Sequence, residues 1–147
     1  MEEVWHKEGE RIDLVIFLNG IAIFTFELKC NTSGQNYEDA IRQYKFERDY
    51  KTRLLKFKAG CLAHFAMDLN EVYMCTNLKG KSSFFLPFNK GCGVGIHSGK
   101  GNPHNENGIN VSYMWEDILK KDTVLYLIDK IIFLQKETKK DPDTGKR

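Results

Sequence analysis

Asp13, Glu27 and Lys29 are residue types that hold a divalent cation and steer a water molecule. Two carboxylates a few ångströms apart repel unless a cation joins them. Hard oxygen ligands suit Mg²⁺, which keeps several waters and takes one or two carboxylates plus a substrate phosphate. A metal held in this way generates a hydroxide nucleophile and stabilises charge on a phosphodiester in flight. A neighbouring lysine orients the attacking water or neutralises the developing phosphorane. The same three residue types serve more often as a surface salt bridge at a strand end, so spacing alone leaves both uses open.

The elements that must position these residues are two apolar runs, residues 12–18 and 21–29, separated by Asn19-Gly20. Asn-Gly between apolar runs is the strongest short-range hairpin signal, because both residues tolerate positive φ. Side chains alternate along a strand. Leu14, Ile16 and Leu18 with Ala22, Phe24, Phe26 and Leu28 therefore make one apolar face. Asp13, Val15 and Phe17 with Ile23, Thr25, Glu27 and Lys29 make the other. A plain two-residue loop would pair Asp13 with Phe26 and mix the faces. Because register is strongly specified when a face is buried, a three-residue connection or a bulge is expected, pairing Asp13 with Glu27.

Around the hairpin, residues 4–7 read as a short strand turning at Glu8-Gly9-Glu10. A helix is expected over residues 37 to about 50 from Ala40, Ile41 and Tyr44, capped by Thr32 with Gln35 or by Asn36. Residues 62–65 and 72–76 read as strands joined by Asp68-Leu69-Asn70. Residues 83–88 form an apolar run that Pro87 ends or pushes to a sheet edge. A long loop follows over 89–110, rich in glycine and asparagine. Residues 115–120 are expected to be helical. A last helix, capped by Asp122 or Thr123, carries the stripe Val124, Leu127, Ile128, Ile131 and Leu134, and residues 136–147 form a charged linker.

Composition bounds the rest. The chain has 147 residues, 41% hydrophobic and 29% charged, which fits one folded core and excludes wholesale disorder. A net charge of +2 declares no strongly basic nucleic-acid module, although Arg42, Lys45, Arg48, Lys51, Arg53, Lys56 and Lys58 form a local basic stretch. Those cations either contact phosphates or make a solvated face. No apolar run reaches the roughly 20 residues of a membrane helix, and the N-terminus lacks a signal-peptide pattern. Cys30, Cys61, Cys75 and Cys92 contain no CxxC pair, which fits reduced thiols in a cytoplasmic protein better than a zinc site. Around Gly99-Lys100, a Walker A motif fails at Val94 and at Gly101. His64, in an apolar run, reads as a hydrogen-bonded core histidine.

Asp-(x)n-Glu-x-Lys across a hairpin followed by a helix resembles the PD-(D/E)xK nuclease superfamily. More specifically, Arg11-Ile12-Asp13-Leu14-Val15-Ile16-Phe17-Leu18-Asn19-Gly20 and Phe26-Glu27-Leu28-Lys29 resemble the nuclease domain of type I restriction enzyme R (HsdR-like) subunits. The similarity continues through Asp39-Ala40-Ile41-Arg42-Gln43-Tyr44, Ala63-His64-Phe65-Ala66-Met67-Asp68, Phe84-Phe85-Leu86-Pro87-Phe88-Asn89-Lys90-Gly91, Gly101-Asn102-Pro103 and Trp115-Glu116. It implies an α/β fold of the restriction-endonuclease-like class, with a mixed central sheet flanked by helices.

The resemblance also implies Mg²⁺ held by Asp13 and Glu27, catalysis by these two with Lys29, and support from Gln43 in a Q-x-x-x-Y motif. Glu47 stands where that motif has its tyrosine, Tyr44 is adjacent, and Ile12 replaces the proline that names the superfamily. Arg42, Lys45 and Arg48 are the DNA-binding candidates. The function implied is endonucleolytic cleavage of double-stranded DNA as part of a type I R subunit, in complex with methylation and specificity subunits. ATP would be used by a motor absent from this chain. Residues 1–135 would be the nuclease domain, lacking its N-terminal helix, and 136–147 the linker toward that motor. The alternatives are a non-catalytic DNA-binding or docking module with this fold, and a stand-alone repair or Holliday-junction nuclease of the same superfamily.

Overall fold

A computed structural model describes residues 4–7, 10–97 and 100–131. The chain divides into two compact units, residues 1–113 and 114–147.

The first unit contains a two-stranded and a five-stranded sheet. β1 (Val4–Lys7) pairs antiparallel with β2 (Glu10–Ile12). The larger sheet has the order β3 (Leu14–Leu18), β4 (Ile21–Leu28), β5 (Ala63–Met67), β6 (Val72–Cys75), β7 (Leu86–Pro87). β4 and β5 run parallel and every other pair is antiparallel, so the sheet is mixed. A parallel pair needs a crossover, and the chain between Leu28 and Ala63 supplies it, carrying the helix that covers the site. β7 is two residues long at the sheet edge, the position a proline tolerates.

The hairpin has a two-residue turn and a bulge. Asn19 and Gly20 both have positive φ, 49° and 80°, the requirement of a type I′ turn. Leu18 pairs with Ile21 and Phe17 with Ala22, but Ile16 pairs with Phe24, leaving Ile23 as the extra residue. From there Val15 faces Thr25 and Leu14 faces Phe26. The bulged register anticipated from the sequence is therefore the one adopted. It corrects one detail: Ala22 lies on the face of Val15 and packs with that cluster, not with Phe24 and Phe26.

β4 lies between β3 and β5, and residues 23–27 are buried on both faces. A strand covered on both sides reads as a continuous apolar run, which is why Glu27 stands out in IAIFTFEL. One face packs Phe24, Phe26, Phe65 and Phe88, with ring centroids 4.9–5.6 Å apart. Such aromatic pairs each add about 1 kcal/mol beyond their buried area. The other face packs Val15, Ala66 and Cys75 against Ala40, Tyr44 and Leu55.

The covering helix, α1 (Tyr37–Arg42), begins at Asn36. The Asn36 side chain accepts from the Glu38 and Asp39 amides, and Asp39 accepts from the Asn36 amide. This is a capping box, typically worth about 1 kcal/mol. The helix does not continue to residue 50 as its periodicity suggested. It widens into a π-helical turn, Gln43–Glu47, and stops at Arg48, whose backbone is extended.

The long loop is held by asparagine side chains. Asn102 donates to Asn89 and to the Asn70 carbonyl, Asn110 donates to Asn70, and Asn89 accepts from the Val72 amide.

The second unit contains the π-helical turn Met114–Ile118, α2 (Lys121–Tyr126) and a further π-helical turn, Leu127–Ile131. Lys120 occupies the cap position of α2, so Asp122 and Thr123 fall inside its first turn rather than capping it. Leu134 and the charged stretch 136–147 lie outside the described residues.

Candidate active site

Asp13 sits at the bend between β2 and β3, where its Oδ2 accepts a hydrogen bond from the Leu28 amide at 2.8 Å. With Leu14 opposite Phe26, the alternation of the strands carries Asp13 opposite Glu27 and onto the same face. Lys29 follows β4 directly. Its amide donates to the Met67 carbonyl at 2.9 Å, extending the β4–β5 ladder by one residue. A period of two then puts the half-buried Lys29 side chain on the face of Glu27. The hairpin thus gathers all three residues named from the sequence.

Glu27 is 0% exposed. Its Oε1 accepts from Arg48 Nε at 2.6 Å, and the Arg48 side chain is 11% exposed. Removal from water pushes the Glu27 carboxyl up to about 7. Arg48 opposes that rise, and the charge of nearby Asp13 adds to it. Burial acts to lower the Arg48 pKa, but the bond and charge of Glu27 outweigh it and hold the guanidinium above its usual range.

Among the described residues, two buried side-chain polar atoms have no hydrogen-bond partner, Glu27 Oε2 and Gln43 Oε1. Buried oxygens without partners are rare and costly. Both belong to the residue set that the sequence singles out. Gln43 ends α1 and opens the π-helical turn, which also carries Tyr44 and Lys45.

The three DNA-binding candidates separate. Arg42 is exposed and lies 3.6 Å from Asp39, and Lys45 is half-buried. Arg48 turns inward to Glu27, a role its place in a basic stretch gave no means of foreseeing.

A further carboxylate, Asp68, follows β5. It accepts from the amides of Asn70, Glu71 and Tyr37 and from the Asn31 side chain. Four donors occupy both of its oxygens, so Asp68 braces the β5–β6 turn. No cluster of three His, Cys, Asp or Glu side chains able to cage a metal occurs among the described residues. The donor set that fits a cation is therefore two carboxylates, the sparse kind that leaves room for waters and a phosphate. Glu27 Oε2, unbonded and near Asp13, is the oxygen such a pair would offer.

Beneath the site runs a buried polar chain. The Thr25 hydroxyl lies 2.9 Å from the Tyr44 hydroxyl and 2.7 Å from His64 Nδ1. All three residues are buried, and burial lowers the His64 pKa to about 4, so its ring is neutral at physiological pH. The chain ties the π-helical turn to β4 and β5. His64 is thus the bonded core histidine read from the sequence.

Glu27 and His64 make opposite contributions to stability across acid pH. The Glu27 carboxyl is raised from 4.5 to about 7, so the native state binds more protons and loses stability as pH rises through that window. His64 is lowered from 6.5 to about 4, so the native state binds fewer protons and loses stability as pH falls from 6.5. At 1.36 kcal/mol per pH unit each is worth about 3 kcal/mol, and together they cancel between pH 4.5 and 6.5. In metal-free protein, Glu27→Gln should unmask a rise of about 3 kcal/mol from pH 4 to pH 7. Urea denaturation across pH checks this, and a variant profile matching the wild type would refute it.

A family model, type I restriction enzyme R protein N terminus (HSDR_N), matches residues 1–83. The chain belongs to that family. The match spans Asp13, Glu27, Lys29, Gln43 and Arg48, so the whole site falls within the family's own region. Comparison with curated proteins and with solved structures finds no match. The sequence resemblance is borne out at the level of the R-protein N-terminal family, and the mixed sheet with its helices is an α/β arrangement compatible with it. No helix among the described residues is long and apolar enough to cross a membrane.

Proposed function

We propose that this chain is the nuclease domain of a type I restriction R subunit, with a restriction-endonuclease-like core, and that it hydrolyses phosphodiester bonds of double-stranded DNA with Mg²⁺. The observation that carries this reading is the fully buried Glu27 carboxyl, unbonded at Oε2 and close enough to Asp13 to be raised by its charge. A fold does not retain such a cost without return, and functional sites are where it concentrates.

Asp13 and Glu27 would hold the cation through hard carboxylate oxygens. When bound, Mg²⁺ polarises the scissile phosphate and lowers the pKa of a coordinated water. Lys29, on the same face, would orient that water or neutralise charge on the phosphate. Gln43, which opens the π-helical turn and has a buried, unbonded Oε1, would supply a further acceptor. Arg48 offsets the Glu27 charge while the site holds no cation and must loosen its hold when one enters.

Site choice would come from the methylation and specificity subunits, and ATP would be consumed by a motor elsewhere in the R subunit. The nuclease domain is assigned to residues 1–135 and a linker to 136–147.

The Arg48–Glu27 pair favours a second reading, a DNA-binding or docking module that keeps the fold without catalysis. Calorimetric titration with Mg²⁺ or Mn²⁺ separates the two. The nuclease reading expects binding by the wild-type chain and at least about a tenfold loss in Glu27→Ala, since removing one of two carboxylate ligands costs over 1.4 kcal/mol. Absence of binding to the wild-type chain would favour the module.

A further inference from the structure

On the first unit, Phe46 is 61% exposed at the end of the π-helical turn, and the Lys81 ammonium lies 5.7 Å from its ring centroid. Lys79 and Lys81 flank Gly80, in a turn that Ser83 makes rigid. The buried Ser83 hydroxyl accepts from the Lys79 amide at 2.8 Å and donates to the Gly80 carbonyl at 2.7 Å. Gly80 has a φ of 58°, and a Cβ there would meet the Tyr50 ring at 3.3 Å, so this turn is seated against the chain that follows the π-helical turn. Lys45 borders the same turn, because a Cβ at Gly80 would also lie 3.7 Å from the Lys45 carbonyl. None of the three lysines forms an ion pair with a carboxylate among the described residues. Next to the turn, Lys79, Phe84 and Leu86 line a groove of about 280 Å³, and Phe84 is 74% exposed.

Unpaired lysines beside exposed aromatic rings are the two ingredients of a surface for unpaired nucleic acid. The charges track the backbone phosphates without regard to sequence, and the rings accept stacked bases. A protein partner would meet the rings as apolar contacts and leave three ammonium groups to be matched one by one, whereas a DNA strand supplies a phosphate at each nucleotide. We infer that Lys45, Lys79 and Lys81 with Phe46 and Phe84 form a platform for a single DNA strand, phosphates on the lysines and bases on the rings. This rests on the DNA-cleaving reading and specifies the strand state that the domain handles. The Ser83 bonds fix the backbone that carries Lys79 and Lys81, which limits the ordering cost of binding to their side chains.

The test is fluorescence anisotropy of the full chain with labelled oligothymidylate in EDTA, over a series of salt concentrations. Lys79→Glu/Lys81→Glu should weaken binding at least tenfold and flatten the log–log salt slope by about 1.4, since each single-strand phosphate contact contributes about 0.7. Phe46→Ala, a change at an exposed site, should weaken binding at least about fivefold and leave the salt slope unchanged. The same two-charge reversal at Lys120 and Lys121, in the second unit, should change affinity less than twofold. Equal losses from both double variants, or no loss from the first, would overturn the platform. So would polyglutamate competing as strongly as the oligonucleotide with no dependence on Phe46, which would mark an acidic-polypeptide surface. Lysine-dependent single-strand binding by a chain that binds no Mg²⁺ would overturn the nuclease reading and leave the platform standing. Mg²⁺ binding with strand affinity indifferent to these substitutions would do the reverse.

Discussion

Asp13→Ala should reduce cleavage of circular plasmid DNA by the R-containing restriction complex at least about 10³-fold, because a bound cation supplies several kcal/mol of charge stabilisation at 1.36 kcal/mol per tenfold in rate. Lys29→Ala should cost about 10² or more, the range of a positioned proton-handling group. The fold should survive both. Asp13 contributes one hydrogen bond to the Leu28 amide at a bend, and Lys29 is a half-buried residue just past a strand end. Asp13→Asn keeps an acceptor for that amide while removing the charge, so its melting temperature should match the wild type although its cleavage does not. Cleavage retained by Asp13→Asn in a correctly folded complex would refute the assignment of Asp13 to the metal.

Arg48→Met should destabilise the chain by about 3 kcal/mol at pH 8, since removing one partner of a buried ion pair leaves the other charge uncompensated. Glu27 has no exposed surface, Arg48 is the donor to its Oε1, and its Oε2 has no partner. Below about pH 5 the Glu27 carboxyl is neutral in both the folded and the variant protein. The loss should then shrink to about 1 kcal/mol, the worth of a single hydrogen bond. Glu27→Gln/Arg48→Met should recover most of the stability at pH 8.

Mg²⁺ should stabilise Arg48→Met more than the wild type, because the cation no longer competes with a guanidinium for Glu27 and binding to the folded state adds stability by mass action. Chemical denaturation at the two pH values, with and without Mg²⁺, reads all of this. A loss independent of pH would show that Arg48 acts through packing alone.

The two variants bear on different parts of the site, and those parts differ in how far the sequence exposes them. Asp13, Glu27 and Lys29 could be grouped from the sequence because a hairpin is a local object. Asn19-Gly20 selects the type I′ turn, the strand period is two, and burial of the sheet faces forbids a register that mixes them. That constraint called for a three-residue connection or a bulge; the choice of the bulge, its position at Ile23 and the side of the sheet on which Ala22 lies did not follow from it. The capping of α1 by Asn36 is equally local: one side-chain oxygen and two amides within three residues.

What the sequence by itself determined is thus the hairpin, its register and the shared face of the two carboxylates and the lysine, because each depends on neighbours in the chain and on a fixed repeat. Only the tertiary structure decided how that face is surrounded. It placed β4 between two strands and under α1, which turns Glu27 from a surface group into a buried one with a carboxyl pushed up to about 7. It widened the helix into a π-helical turn, so that Tyr44 reaches Thr25 and Arg48 reaches Glu27 instead of extending a basic helical stripe. It also spent Asp68 on backbone amides and brought Lys81 over Phe46. These are encounters between residues 19 to 35 positions apart, apart from the local bonding of Asp68. Side-chain period says nothing about such meetings, because they depend on where the crossover lays the helix down, and that is settled by packing across the whole sheet.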